Sequence, residues 1–231
     1  MPAFRTANLF ERWSLANAVG MLGTTAAAVW AEHSELFLVG GIALLGLLVF
    51  VGRHQWTPQG DFGSANTVTA FRAGLLCFLP SAAAHRPLFL IGLSICVLAT
   101  DGLDGWLARR AGRSSTFGAF FDKETDALFL LLLCGIAAFQ DRLPAWILVA
   151  GLLRYGFVLL LFLPFTTETT EAQSDLARYI YSGMIGALLF SFLPSAPLAR
   201  PLALLATLAL TVSFGRSLWK MLPPSSPPDT P

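Results

Sequence analysis

Charge is scarce in this chain. Only 13% of its 231 residues are Asp, Glu, Lys or Arg, against about 25% in an ordinary soluble domain. Together with 55% hydrophobic residues and a mean hydropathy of +0.65, that scarcity excludes a water-soluble globule. A basic surplus is missing too: 15 Lys+Arg against 14 Asp+Glu leave a formal net charge of +1, so nucleic acid is excluded as a partner. Cysteine is nearly absent, and Cys77, Cys96 and Cys134 each sit in an apolar run without CxxC or Cys/His spacing. They read as small core residues, not as disulfides or zinc ligands. The histidines, His33, His54 and His85, fall in separate loops without metal-ligand spacing and face solvent or headgroups.

What the chain does have is long apolar runs, at about 15–31, 35–52, 66–84, 87–108, 117–139, 144–163, 177–193 and 199–219. At 1.5 Å per helical residue, runs of this length cross a hydrocarbon core about 30 Å thick. The pattern predicts an all-α polytopic transmembrane bundle of about eight spans. The first run lacks a clear signal-cleavage context and is expected to be a retained helix. Residues 1–60, almost free of ionisable side chains within their spans, form an accessory pair of helices, and 61–222 form a six-helix core. The Pro/Ser-rich tail 223–231 cannot bury a core.

Long polar loops (52–66, 108–116, 166–175) alternate with short turns, so the two kinds lie on opposite faces. Arg5, Arg12, Arg53, Arg110, Arg113, Arg178, Arg216 and Lys220 collect on the long-loop face, and only Arg86, Arg142 and Arg200 on the other. The positive-inside rule makes the first face cytoplasmic, with both termini there.

The few acidic residues are clustered. DGLDGWLARRAGRSSTFGAFFDKETD, residues 101–126, holds Asp101, Asp104, Asp122, Glu124 and Asp126. Spacings of three and four place Asp101 with Asp104, and Asp122 with Asp126, on single helix faces. A break at AGRSS (111–115) folds the two helices back as a hairpin and brings four carboxylates to one cavity at the cytoplasmic end. Like charges so close favour raised pKa values or a bound cation. Hard oxygen ligands suit Mg²⁺, Mn²⁺ or Ca²⁺, and paired ions are the usual apparatus of phosphoryl displacement. Gly105, Ala108 and Gly118 are small enough to admit a close helix or a flat substrate group.

The spacing D-x2-D-G-x2-A-R-x8-G-x3-D-x3-D, complete here as Asp101, Asp104, Gly105, Ala108, Arg109, Gly118, Asp122 and Asp126, resembles the signature of the CDP-alcohol phosphatidyltransferase family. At about 5 to 8% usage per residue type, eight specified positions coincide by chance roughly once in ten billion starting points. Upstream, SANTVTAFR resembles the family's first-core-helix pattern through Asn66, Thr69 and Arg72, departing from it at Ala65 and Val68. The resemblance implies that an alcohol hydroxyl attacks a CDP-linked phosphorus and CMP leaves. It further implies Asp101, Asp104, Asp122 and Asp126 as ligands of one or two Mg²⁺ or Mn²⁺ ions, and Asp126 as general base. Asp101, Gly105, Ala108, Arg109, Gly118, Asn66 and Thr69 would border the nucleotide. CDP-diacylglycerol and a small polar alcohol would be the substrates, in a homodimer set among membrane lipids in a bacterial inner membrane.

Arg154 sits mid-span, where a charge needs a partner or a wet cavity. One reading makes it a structural ion pair with a neighbouring carboxylate. The other has Arg154 and Arg178 grip an anionic acceptor, which favours an alcohol phosphate such as glycerol 3-phosphate. Lys123 and Glu124, between Asp122 and Asp126, are as well explained by pairing as by chemistry, and Tyr155, Tyr179 and Tyr181 read as packing or interface residues. Two alternatives stand beside phosphatidyl transfer. One is phospho-alcohol transfer from a CDP-alcohol to diacylglycerol. The other is a cation transporter with an acidic site, against which the terminal position of the cluster and the lack of a repeat count.

Overall fold

In a computed structural model, residues 9–111, 115–162, 175–194 and 196–221 are described, the helical path alone being given at 101–111, 175, 220 and 221. Among the described residues the chain is helical throughout, without strands: α1 (Leu9–Ala31), α2 (Glu35–Val51), α3 (Ser64–Leu76), α4 (Leu79–His85), α5 (Pro87–Ala111), α6 (Thr116–Phe139), α7 (Leu148–Leu161), α8 (Asp175–Ser191) and α9 (Ala199–Met221). A short 3₁₀ turn, Ala145–Ile147, leads into α7. The helices coincide with the apolar runs, as hydropathy predicts. α1 begins earlier than its run, at Leu9, taking Glu11 and Arg12 into its first turn.

One run is split. The apolar stretch 66–84 is two helices, α3 and α4, because Pro80 offers no N–H to the Leu76 carbonyl and its ring crowds that turn. Just before the break the bonds tighten to the three-residue spacing, with Cys77 N–H donating to Gly74 and Phe78 N–H to Leu75. Taken together, Ser64–His85 remains long and apolar enough to cross a membrane, as does Ala199–Trp219. Arg86 adopts extended backbone (φ −150°, ψ 104°) before Pro87, which opens α5.

α6 is the central helix. From Ala127 to Ala137 every residue is buried, the signature of a helix apolar all round and enclosed by others. It packs against α2, α3, α7 and α8, with further contact to α1 and α4. Missing side chains let the neighbours approach: a Cβ on Gly41 of α2 would lie 2.2 Å from Leu128 Cδ1, and one on Gly151 of α7 would lie 2.9 Å from the Leu131 Cα. Phe37 packs edge-on against Phe139, ring centroids 5.9 Å apart, and fills the space above Gly135.

The outside of the bundle is apolar. Val39, Phe50, Phe71, Leu88, Leu205 and Val212 are exposed, the reverse of a soluble surface and the expected one against lipid tails. Cys77 and Cys96 also face outward, so only Cys134 is the core residue that all three cysteines were expected to be. A thiol in an apolar run suits lipid as well as it suits a protein core, and periodicity alone does not distinguish the two.

Candidate active site

The site is built around the first turns of α6. Ser115 caps that helix in extended conformation, its Oγ accepting from Gly118 N–H at 3.0 Å and donating to the Trp56 carbonyl at 2.6 Å. Of the expected break at 111–115, Ser115 is extended and α6 starts at Thr116, while residues 112–114 lie outside the described residues. Beside it, the loop 52–63 is folded onto α3. Asn66 Nδ2 donates to the carbonyls of Trp56 (3.1 Å) and Phe62 (2.7 Å), and Gly63, at φ +77°, opens α3 with a backbone that favours glycine.

Gly118 and Asn66 meet across this junction: a Cβ at Gly118 would lie 2.7 Å from Asn66 Oδ1. Asn66 is already tied to two carbonyls and has little room to yield. The motif's glycine is thus required by the approach of α3 to α6. Thr69, also buried, donates to the Ala65 carbonyl one turn back at 3.2 Å.

Asp122 and Asp126 stand one turn apart on α6, their side chains 34% and 32% exposed. Arg72, projecting from α3 and completely buried, ion-pairs with both. One guanidinium nitrogen, Nη2, makes a short hydrogen bond to Asp122 Oδ1 and lies 3.3 Å from Asp126 Oδ1. A buried guanidinium is tolerated where carboxylates accept its protons, and here it neutralises part of the like-charge repulsion between them. The Tyr181 hydroxyl on α8 donates to the Asp126 main-chain carbonyl at 3.0 Å, which ties α8 to the same turn. Tyr181, read from sequence as packing, thus touches the candidate base residue through its backbone.

Asp101, Asp104, Gly105, Ala108 and Arg109 lie on the last turns of α5, and their side chains are outside the described residues. Among the described residues no three His, Cys, Asp or Glu are grouped to hold a metal ion. Of the four carboxylates expected to hold a metal ion, Asp122 and Asp126 are those whose side chains are described. They offer partly exposed carboxylate oxygens on one helix face, the donor chemistry of a hard divalent cation.

Arg154 and Arg178 are far apart in character. Arg178 is exposed near the start of α8. Arg154, on α7, donates from Nη2 to Glu124 Oε1 at 3.1 Å, the ion pair that was one of its two readings. Glu124 is 2% exposed, and it also accepts from Asn17 Nδ2 at 2.7 Å and Ser14 Oγ at 3.3 Å, both on α1. Sequence reasoning passed over Ser14 and Asn17. Their only signal was two polar residues, three apart, at the start of an otherwise apolar run.

A lipid-facing helical bundle, with two carboxylates held on a central helix by a buried arginine, defines a membrane protein with an acidic, cation-compatible site. The chain belongs to the CDP-alcohol phosphatidyltransferase family, whose model matches residues 62–213. It is also 28% identical over 134 residues to a CDP-diacylglycerol–glycerol-3-phosphate 3-phosphatidyltransferase of Treponema pallidum (strain Nichols). That match covers 56% of this chain and 61% of the relative, so the chain spans less than two thirds of its length. No solved structure matches the chain.

Proposed function

We propose that this protein transfers a phosphatidyl group from CDP-diacylglycerol to a small polar alcohol phosphate, with glycerol 3-phosphate as the favoured acceptor and CMP released. The observation that carries the reading is the pairing of buried Arg72 with Asp122 and Asp126, which holds the motif's last two carboxylates together on one partly exposed face of α6. Family membership supports the reaction class, and the acceptor in the relative's name supports glycerol 3-phosphate.

In this mechanism Asp126 accepts the hydroxyl proton of the alcohol as the new O–P bond forms and the P–O bond to CMP breaks. The base needs its lone pair free and its carboxylate oriented. Arg72 orients it from below, and the Tyr181 bond fixes its main chain. Asp101, Asp104, Asp122 and Asp126 would hold Mg²⁺ or Mn²⁺, which supplies charge neutralisation for the pyrophosphate. Asn66 and Gly118 form the close α3–α6 junction beside these groups, where the nucleotide is expected to lie. Arg178, exposed near the start of α8, would attract an anionic acceptor through its charge. The arginine bias supports a site on the cytoplasmic face, and the exposed apolar belt would let the donor's acyl chains stay in lipid.

The test is CMP release by the purified protein in detergent, with CDP-diacylglycerol, Mg²⁺ or Mn²⁺, and a panel of acceptors, the lipid product being identified by mass. The expected result is a lipid carrying glycerol 3-phosphate, formed only when a divalent cation is present. CMP formed only from a CDP-alcohol plus diacylglycerol would replace this reading with the reverse partition, and cation uptake without CMP would favour a transporter.

A further inference from the structure

The family match begins at residue 62, leaving α1 and α2 outside it. Even so, α1 reaches the helix that carries the site. Phe10 stacks on Phe120 with centroids 5.8 Å apart and touches Phe117 at 6.2 Å, both in the opening turns of α6. One turn further along α1, Ser14 and Asn17 are 4% and 3% exposed, and both donate to the Glu124 carboxylate. Arg154 completes the group from α7. Four polar side chains on three helices therefore converge inside the bundle.

Glu124 lies midway between Asp122 and Asp126 in sequence. At about 100° per residue it points to the opposite side of α6 from both. The two carboxylates face Arg72 on α3, and Glu124 faces α1 and α7. The helix is thus held by polar contacts on both sides of the same turn. A carboxylate stands about 6 Å from a helix axis, so a 10° rotation of α6 moves it by about 1 Å. Misplacement on that scale can cost on the order of 100-fold in rate. The hydrophobic effect is not directional, whereas the hydrogen bonds to Glu124 are, so they add an orientational restraint at this turn.

We propose that Ser14, Asn17 and Arg154 act through Glu124 as a positioning clamp that sets the rotation of α6, making the N-terminal helix a working part of this chain's active site. The inference rests on the role assigned to Asp122 and Asp126 under Proposed function. In this proposal Glu124 and its partners act as positioning residues, through α6, not by contact with substrate.

The test uses the full chain in detergent. Two variants are compared with wild type: Asn17→Leu, and the triple variant Asn17→Leu, Glu124→Leu, Arg154→Leu. Replacing a buried ionic group wholesale by apolar residues is often neutral or stabilising, so the triple variant is expected to keep its thermal midpoint. Its kcat is expected to fall about 100-fold, and that of Asn17→Leu about 10-fold, with the KM for CDP-diacylglycerol within about twofold of wild type. Amide hydrogen exchange across 118–127 is expected to rise by about tenfold, while 199–210 in α9 stays unchanged.

Wild-type kcat in the folded triple variant, or unchanged exchange across 118–127, would overturn the clamp. If the triple variant does not fold, Asn17→Leu decides by the same two readouts. If the wild type transfers no phosphatidyl group, the functional reading fails, and the exchange arm still judges the clamp.

Discussion

Arg72 has no exposed surface, yet its charge meets two carboxylates that are about a third exposed. That asymmetry decides what its loss would do. Removing one partner of a fully buried pair costs about 3–5 kcal/mol, but Asp122 and Asp126 can be rehydrated, so Arg72→Met is expected to cost about 2 kcal/mol. Thermal unfolding in detergent would measure it. The same variant leaves Asp126 without its orienting partner, and kcat should fall alongside stability. Asp126→Asn separates the two effects: stability should stay close to wild type, while kcat drops by about 10² to 10⁴, the range of a lost general base. An Asp126→Asn protein as active as wild type would remove Asp126 from the base role. At this scale the motif aspartates were legible, since their spacing on one helix face is local. The reason for Arg72 was not legible, because its nearer partner in sequence, Asp122, lies 50 residues away.

At the scale of the element, α6 depends on neighbours that lack side chains where they touch it. The Gly151 contact is the sharpest of these, because part of what a new Cβ would meet is the Leu131 backbone, which cannot rotate away. Gly151→Ala should therefore push α7 from α6 and lower stability by about 1–3 kcal/mol, the usual cost of overpacking. Gly156→Ala, on the same helix with open space around its Cβ position, is the matched control and should be neutral or slightly stabilising. Equal thermal midpoints for the two variants would contradict this packing. The division of 66–84 into α3 and α4 belongs here too. Pro80 was visible in the run, but hydropathy counts its apolar character and is blind to its missing N–H.

At the scale of the whole molecule, the exposed apolar belt suits a bilayer, and the arginine bias predicts that the 52–66 loop lies inside the cell. A membrane-impermeant thiol reagent added to intact cells should label Ser34→Cys, in the short α1–α2 turn, and should reach Gln55→Cys only after permeabilisation. The opposite pattern would invert the topology and put the acidic site outside. Hydropathy, charge bias and motif spacing are properties of neighbouring residues or of sums along the chain. The sequence by itself therefore determined the membrane setting, the helical runs and the positions of the acidic motif. Only the tertiary structure decided that Arg72 binds Asp122 and Asp126, that Gly118 clears Asn66, and that Glu124 joins α1 to α7. In an apolar interior each polar group must find a partner, and which partner it finds depends on how the helices pack, with Asn17 and Glu124 meeting across 107 positions of sequence.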